Sequence, residues 1–193
     1  LGHWVLETAC QAACHWPEDV SISVNISAEQ LNDPDIIEKI AGALSRSGLP
    51  ANRLELEVTE SVFMREGTGA AQALEQLTRR GIRLSLDDFG TGYSSLGYLS
   101  RTRFNTIKVD RSFVTGAARG QRESLAIVNA VVAMATSLGL DTTAEGVETE
   151  TEYEIIRALG CSKIQGYYFG RPMSLDDTAA LFGQTDTRVA CPA

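Results

Sequence analysis

The chain has no hydrophobic segment long enough to cross a membrane. No apolar run approaches the roughly 20 residues that a membrane-spanning helix requires. The N-terminal segment, residues 1–16, has neither the basic start nor the small-residue cleavage site of a secretory signal. The sequence therefore predicts a domain without a membrane span, and residues 1–16 are not interpreted as a secretion signal.

Positive charge is also scarce. There are 17 Lys and Arg residues against 25 Asp and Glu, which gives a net charge of −8 and a pI of about 4.8. A surface of that sign repels a polyanion, so we expect no binding to long DNA or RNA. A small phosphodiester ligand is not excluded, because divalent metal ions can reverse the sign of the local field.

Cysteines are few and form no recognisable pattern. They are Cys10, Cys14, Cys161 and Cys191. Their spacing contains no C-x-x-C pair and does not suggest a disulfide framework, so we expect a reducing, cytoplasmic compartment. Cys10 and Cys14 lie four residues apart on one face of a predicted helix, with His3 and His15 nearby, which leaves a zinc site as an alternative. Buried free cysteine is the commoner case.

What the sequence does contain is a regular alternation of β-branched runs and helical patterns. Hydrophobic residues make up 44% and charged residues 22% of the 193 residues, as in an ordinary globular domain. Strands are predicted at residues 20–26, 54–59, 82–87, 106–109, 141–144 and 163–165 with the following YYF. Helices are predicted at residues 1–16, 34–47 (capped by Asn32 or Asp33), 70–80, 124–138 and 150–159. The last four end at glycines, as helices leading into a parallel sheet often do.

This alternation predicts an α/β fold, either a doubly wound open sheet or a (β/α)₈ barrel. Polar residues distinguish the two, because each predicted strand has one near its C-terminal end. In strand order they are Asn25, Glu57 with Glu60, Asp87 with Asp88, Lys108 with Asp110, Glu145, and Gln165. In a barrel all these ends meet on one face, where such enzymes build active sites, whereas in an open sheet only those at the switch point meet. We therefore predict a TIM-like barrel.

The predicted strands do not complete that barrel. A closed barrel needs eight strands, and the chain supplies six. We therefore expect two strands and a helix upstream of Leu1, where the sequence begins inside a helical pattern without an initiating methionine. No linker or repeat divides the rest, so we predict one domain at residues 1–182. Residues 183–193 are predicted to be a disordered tail.

The predicted rim of the barrel is rich in oxygen donors. The candidate metal ligands are Asn25, Glu57, Asp87, Asp88 and Glu145. Carboxylate and amide oxygens suit Mg²⁺, Mn²⁺ or Ca²⁺. Adjacent aspartates repel each other, and one or two cations would remove that cost. Two metal ions about 4 Å apart would clamp the attacking and leaving oxygens of a phosphodiester, and Lys108 could orient the attacking water.

Each of these residues alone also has a structural explanation. Asn25 could form a turn, and Glu57 could lie on a solvated strand face. Asp88 could cap a turn, and Lys108 or Glu145 could be surface charges. A polar residue at the same end of every predicted strand nevertheless favours a functional site over separate structural roles.

A glycine-rich loop follows the paired aspartates. It comprises Phe89, Gly90, Thr91, Gly92, Tyr93, Ser94 and Ser95. A lone G-x-G is weak evidence for a phosphate site. Because the loop starts directly from two candidate ligands, we predict a mobile lid over the site. Glu60, three residues after Glu57, is positioned to anchor this loop by a hydrogen bond.

Six segments of the chain together resemble one known family. They are VNIS (24–27), ELEVTES (55–61), DDFGTGYSSLGYL (87–99), IKVDRSFV (107–114), AEGVET (144–149) and QGYYFGRP (165–172). In this order and spacing they resemble the EAL family of cyclic di-GMP phosphodiesterases. The resemblance implies a (β/α)₈ barrel with an antiparallel first strand, and Mg²⁺ or Mn²⁺ as cofactor, two ions per site. It also implies hydrolysis of cyclic di-GMP to linear pGpG in bacterial second-messenger signalling.

The resemblance also assigns roles to individual residues. It implies that the five metal ligands are those named above, with Asp87 bridging. Lys108 is similar to the residue that holds the nucleophilic water, on which Glu145 also acts. Gln165 and Asp110 match substrate-binding positions, and Glu60 matches the anchor of the lid loop.

Two further expectations follow from the resemblance. Family members commonly form homodimers, here through residues 95–125, and many are fused to sensory or GGDEF domains. The E-A-L motif itself, with its metal-binding glutamate and a nearby arginine, does not occur in residues 1–193, so we expect this chain alone to be inactive. A receptor that binds cyclic di-GMP without cleaving it is the main alternative, and a sugar-phosphate barrel enzyme fits the paired aspartates poorly.

Overall fold

The computed structural model describes residues 2–63, 69–90, 97, 99 and 102–182. The strands of this part are β1 (Ile22–Asn25), β2 (Leu54–Thr59), β3 (Arg83–Phe89), β4 (Thr106–Val109), β5 (Asp141–Ala144) and β6 (Lys163–Ile164). The helices are α1 (Gly2–Ala13), α2 (Ala28–Leu31), α3 (Ile36–Ser47), α4 (Ala70–Arg79), α5 (Arg111–Ala118), α6 (Arg122–Leu138), α7 (Glu150–Ala158) and α8 (Leu175–Leu181). Short 3-10 helices cover Ala51–Arg53 and Glu60–Phe63. Within the same residues, no helix combines the length and apolarity needed to cross a membrane.

The described chain divides into two compact units. The first holds the residues up to Leu84 together with the segment from Pro172. Its strands β1 and β2 are parallel, with Ile22 opposite Leu54 and Asn25 opposite Glu57. Helix α1 packs against α3 and β1, and helix α4 packs against α2 and α3. The fully buried side chains at the centre of this unit include Ile40, Leu54, Leu56, Val58, Leu74 and Leu77.

The second unit covers Ser85–Arg171. Parallel pairs join β3 to β4, β4 to β5 and β5 to β6. Helix α5 packs against α6 and α7, while α6 covers β4 and β5. The buried aliphatic side chains between these layers include Leu86, Ile107, Val109, Val128 and Ile156. Both units therefore have the parallel α/β organisation that the alternation of the sequence predicts.

The strand predictions are confirmed in part. Strands β2, β4 and β5 have the predicted bounds, β1 is shorter, and β3 runs on to Phe89. The last prediction is wrong, because β6 ends at Ile164 and the YYF lies in a turn. The reason is the close approach at Gly166, where a Cβ would lie only 2.1 Å from the Val147 carbonyl oxygen. At Gly166 the backbone packs directly against the backbone of Val147 and then enters a turn, so the strand does not continue.

The helix predictions are also confirmed in part. Glycines 48, 81, 139 and 160 all take positive φ at helix ends, as predicted. The predicted cap of the second helix is wrong, because α3 begins only at Ile36. Ser27 forms a capping box with Gln30 and starts a separate short helix, α2, whose C-cap is Asn32. Helices α2, α5 and α8 were not predicted, and the tail at residues 183–193 lies outside the described residues.

Candidate metal centre

The paired aspartates lie at an irregularity at the end of β3. The register with β4 shifts between Leu86 and Phe89, which marks a β-bulge. Asp88 has φ 54°, the one positive value at a non-glycine residue within the described ranges, and its N–H donates to Asp87 Oδ1 at 3.1 Å. In a regular strand, neighbouring side chains point to opposite faces. The bulge and the left-handed residue change that alternation, and such strained backbone is concentrated at functional sites.

Glu145 meets these two aspartates from the end of β5. Its N–H donates to the Val109 carbonyl at 3.1 Å, which continues the pairing of β4 with β5 beyond Ala144. One carboxylate oxygen each from Asp87, Asp88 and Glu145 lie within 4.8 Å of one another. Carboxylates at this separation repel each other, and hard divalent cations are the partners that such oxygens prefer.

Lys108 lies between two of these acids. Its Nζ is 3.1 Å from Asp87 Oδ1 and 2.5 Å from Glu145 Oε1, and the residue is only 4% exposed. The surface-charge explanation for Lys108 is therefore wrong. The Lys108 ammonium group thus pairs with two of the three carboxylates, and a divalent cation bound by the carboxylate oxygens would reduce the repulsion among them further.

Gln165 is held next to Glu145 by the backbone. Its N–H donates to the Ala144 carbonyl at 2.8 Å, and its carbonyl accepts from the Val147 N–H at 3.1 Å. These two bonds flank Glu145 in the chain. The structure therefore brings the backbone of this predicted substrate-side residue to the acidic cluster.

Asp110 has a clear local role. Its carboxylate is the N-cap of α5, where it accepts from the Ser112 N–H at 2.9 Å and from the Ser112 hydroxyl at 2.5 Å. Capping satisfies an otherwise unpaired N–H at the helix start. Contact of Asp110 with a substrate stays a prediction.

Asn25 and Glu57 come together in the first unit. They are opposite in the β1–β2 register, and both line a cavity of about 360 Å³ with Ser27, Thr59 and Ser61. Glu57 is 8% exposed, which overturns the solvated-face explanation for this residue. The carboxyl ends of β1 and β2 thus form a polar cavity with an amide and a carboxylate in its wall.

The predicted lid loop lies only partly within the described residues. Glu60 is buried at the start of the 3-10 helix Glu60–Phe63, and Phe89 is buried at the end of β3. Gly90 has φ 93° and faces the ring of Phe113. The remaining predicted lid residues, Thr91, Gly92, Tyr93, Ser94 and Ser95, lie outside the described residues.

The zinc alternative at Cys10 loses support. Cys10 is fully buried, and burial raises the pKa of its thiol to about 11. Cys14, the other cysteine of the predicted pair, is disulfide-bonded, which the spacing of the cysteines did not predict, so its sulfur is not available to bind zinc. Among the described residues, the carboxylate cluster at Asp87, Asp88 and Glu145 is the group whose donor atoms converge.

Sequence reasoning missed the residues that fix the segment after Glu145. Thr149 and Glu152 form a capping box at the start of α7, and Glu152 also accepts from the N–H of Glu148 at 2.8 Å. Its spacing, T-x-x-E before a helix, is a recognisable signal. Arg111 is the other missed residue: its Nη2 pairs with Glu148 Oε1 at 2.9 Å. No sequence signal identifies that pair.

Comparison with known protein families identifies the family of this chain. The sequence model of the EAL domain matches residues 1–172 of the chain.

The chain belongs to the EAL domain family.

A bifunctional diguanylate cyclase/cyclic di-GMP phosphodiesterase of Pseudomonas aeruginosa, MucR, is 42% identical to this EAL domain over 184 residues. That alignment covers 93% of the chain and 27% of MucR. The first curated relatives that the chain matches are several times longer, and the chain spans between 22% and 28% of their length.

Solved structures support the same membership. The MucR phosphodiesterase in complex with cyclic di-GMP has a TM-score of 0.86 at 42% identity, over 92% of the chain and 73% of that structure. BlrP1 of Klebsiella pneumoniae, solved with manganese and cyclic di-GMP, has a TM-score of 0.79 at 30% identity, over 89% of the chain and 44% of BlrP1. The predictions of an EAL family member and of its TIM-like α/β fold are confirmed. The sugar-phosphate enzyme alternative is left without support.

Proposed function

We propose that this EAL domain hydrolyses one phosphodiester of cyclic di-GMP to linear pGpG with the help of Mg²⁺ or Mn²⁺. The observation that carries the proposal is the convergence of the Asp87, Asp88 and Glu145 carboxylates within 4.8 Å around a buried lysine. MucR carries cyclic di-GMP phosphodiesterase in its name, and the MucR and BlrP1 structures contain that ligand. These relatives support the choice of substrate.

The residues present fit a divalent metal. Asp87, Asp88 and Glu145 supply hard oxygen donors, and they would hold one ion or a pair of ions. When bound, such a metal polarises the phosphodiester oxygens and lowers the pKa of a bound water. BlrP1 has been solved with calcium and with manganese, which agrees with this donor set. That Asn25 and Glu57 are further ligands stays a prediction.

The chain itself contributes a base and a cation to the proposed reaction. The oxygen of water bonds to phosphorus, and the bond from phosphorus to the 3′ oxygen breaks. As pGpG forms, the 3′ oxygen takes a proton from the solvent, to which Glu145 returns the proton that it accepts. Glu145 accepts the proton of the water. Lys108, whose Nζ lies 2.5 Å from Glu145 Oε1, orients that water and offsets the charge that develops on the phosphate.

Three residues keep the roles that the family resemblance implies, as proposals. Gln165, fixed by its backbone beside Glu145, would bind the substrate. Asp110 would contact the substrate with an oxygen not occupied in capping α5. Glu60 would anchor the lid loop.

The test is the direct assay of turnover. Both the 193-residue chain and the longest gene product that contains it are incubated with cyclic di-GMP and Mn²⁺ or Mg²⁺, and pGpG is quantified by chromatography. We expect metal-dependent turnover in the longer protein, its loss on chelation, and a fall of roughly 100-fold or more in Asp87→Asn. Tight binding of cyclic di-GMP in calorimetry without pGpG from the longer protein would overturn hydrolysis in favour of the receptor alternative.

Three features of the wider protein also stay predictions. They are a homodimer formed around residues 95–125, fusion to sensory or GGDEF domains, and a cytoplasmic setting. The relatives are compatible with fusion, because MucR combines two activities in a chain of which this domain matches 27%.

A further inference from the structure

The first turn of α5 contacts the backbone on both sides of the acidic cluster. Helix α5 follows β4 after a single residue, so Arg111 and Phe113 lie three and five residues after Lys108. Neither side chain has a role in the proposed reaction. Each one faces a glycine that closely follows a candidate metal ligand.

Arg111 covers the glycine next to Glu145. Gly146 has φ 66°, and a Cβ there would lie 2.4 Å from Arg111 Cγ, 2.6 Å from Cδ and 2.7 Å from Cβ. The aliphatic stem of Arg111 therefore lies directly on the Gly146 backbone. The guanidinium continues beyond this contact and pairs with Glu148 at 2.9 Å. Both partners of the pair are more than a third exposed, so the pair itself contributes little.

Phe113 covers the glycine that follows Asp88 by two residues. Gly90 has φ 93°, and a Cβ there would lie 3.2 Å from Phe113 Cε2 and 3.9 Å from Ile127 Cγ2. The ring thus supports the backbone immediately after the strained Asp88, whose φ is 54°. A left-handed aspartate persists only where its surroundings over-determine the conformation, and Phe113 is part of those surroundings.

We propose that Arg111 and Phe113 are positioning residues that set the separation of Glu145 from Asp87 and Asp88 and thereby the affinity for the divalent metal. This inference rests on the proposed metal site. The two side chains belong to one helical turn, whose start is fixed by the Asp110 cap. A single rigid element therefore defines the positions of both halves of the cluster. Groups that orient metal ligands without touching the metal typically change affinity by roughly 10- to 100-fold.

The experiment measures Mn²⁺ binding to the 193-residue chain by electron paramagnetic resonance and by calorimetry. We expect Arg111→Ala and Phe113→Ala each to weaken Mn²⁺ binding by roughly tenfold and to broaden the Mn²⁺ spectrum. Arg111→Met keeps an unbranched stem without charge, so it should restore affinity to within about threefold of the unaltered chain. Arg79→Ala, which removes another exposed arginine–glutamate pair, is the matched control and should bind as the unaltered chain does.

The outcomes separate the two proposals. If neither the unaltered 193-residue chain nor the longest gene product that contains it binds Mn²⁺, the metal site of the proposed function fails and this inference fails with it. If the unaltered chain binds Mn²⁺ and both alanine variants bind it equally well, only the positioning role is overturned. Affinity that Arg111→Met fails to restore also overturns it, because the charge and not the stem would then be responsible. Where circular dichroism shows that an alanine variant is unfolded, Phe113→Leu gives the decisive comparison, because it removes the ring beside Gly90 and keeps an apolar side chain. We expect this variant to bind Mn²⁺ more weakly than the unaltered chain, and unchanged binding overturns the positioning role.

Discussion

Lys108 is the residue on which the electrostatics of the acidic cluster depend. It is almost fully buried and contacts the carboxylates of Asp87 and Glu145. In the absence of metal, its positive charge partly neutralises their negative charge. In the proposed reaction it also orients the water. These two roles can be separated, because metal binding and turnover respond differently to its removal.

We expect Lys108→Met to lower turnover by roughly 100-fold or more while Mn²⁺ binding becomes no weaker. The reason is that the substitution removes the water-orienting group but leaves the carboxylates more negative. Steady-state kinetics and calorimetry on the same preparation measure the two effects. Lys163→Met, which removes an exposed pair with Asp141 at 2.9 Å, serves as the control. Unchanged turnover in Lys108→Met would contradict the assigned role.

Asp88 combines a functional side chain with an unfavourable backbone conformation. We expect Asp88→Gly to raise the free energy of unfolding of the metal-free chain by about 1 kcal/mol, because glycine takes φ 54° without strain. The same change should weaken Mn²⁺ binding by at least about tenfold.

Asp88→Asn is the matched control for this prediction, because it removes the charge and keeps a side chain in the left-handed conformation. Urea unfolding without metal compares the variants. If Asp88→Gly is no more stable than Asp88→Asn, charge repulsion and not backbone strain explains any gain.

At the scale of elements, helix α7 depends on one buried acid. Glu152 closes the capping box and also accepts from Thr115 of α5 at 3.4 Å. Burial acts to raise the pKa of the Glu152 carboxyl, but the N–H groups of Glu148 and Thr149 outweigh it and hold the pKa below its ordinary value of 4.5. A lowered pKa in the folded state means that this carboxylate stabilises the fold at neutral pH.

The Glu152 carboxylate should therefore stop stabilising the fold in acid. This loss begins as the pH falls below 4.5 and is complete once the pH has passed the lowered pKa of Glu152. We expect Glu152→Ala to lower the free energy of unfolding at pH 7 by about 1 kcal/mol, as other lost caps do. Glu152→Gln keeps an acceptor but does not titrate, so its stability should depend less on pH in the acid range. Chemical unfolding from pH 3 to pH 7 measures this difference, and parallel curves for the three proteins would disprove it.

The elements also show where sequence pattern is informative. Strands β2, β4 and β5 were predicted to the residue because each is a short run with buried β-branched or aliphatic residues between clear turn signals. Helix α5 was missed because Asp110 is its only start signal and the helix follows β4 without a loop. The turn after β6 was missed because Tyr167, Tyr168 and Phe169 have high strand propensity, whereas the contact of Gly166 with Val147 is tertiary.

For the whole molecule, metal binding and folding should be coupled. The net charge is −8, and three carboxylates of the second unit converge within 4.8 Å. A divalent ion that binds only the folded chain stabilises it by mass action. We expect Mn²⁺ at 100 times its Kd to raise the free energy of unfolding by about 2.7 kcal/mol.

Urea unfolding with Mn²⁺ and with a chelator measures that coupling. The variant with Asp87→Asn, Asp88→Asn and Glu145→Gln together should show no response to Mn²⁺. Stabilisation that persists in this triple variant would place the ion elsewhere in the chain.

The same scale shows how much of the candidate site could be predicted from sequence. The residue types and their positions at strand ends were readable, because parallel strands bring their carboxyl ends to one side. The pairing of Lys108 with both Asp87 and Glu145 could not be predicted from the sequence, since it depends on the directions of side chains on three strands. The bulge that brings Asp87 and Asp88 together is likewise a property of the folded backbone and leaves no pattern in the sequence.

The contact between Gly166 and Val147 has a genetic consequence. A Cβ at this position would lie 2.1 Å from one backbone atom of Val147 and 2.3 Å from another, and backbone cannot move aside as a side chain can. Every missense change that one base substitution can make in a glycine codon adds a Cβ. No single-nucleotide route therefore leads from Gly166 to a tolerated residue, and a mutational scan of the gene should find this codon depleted of all substitutions.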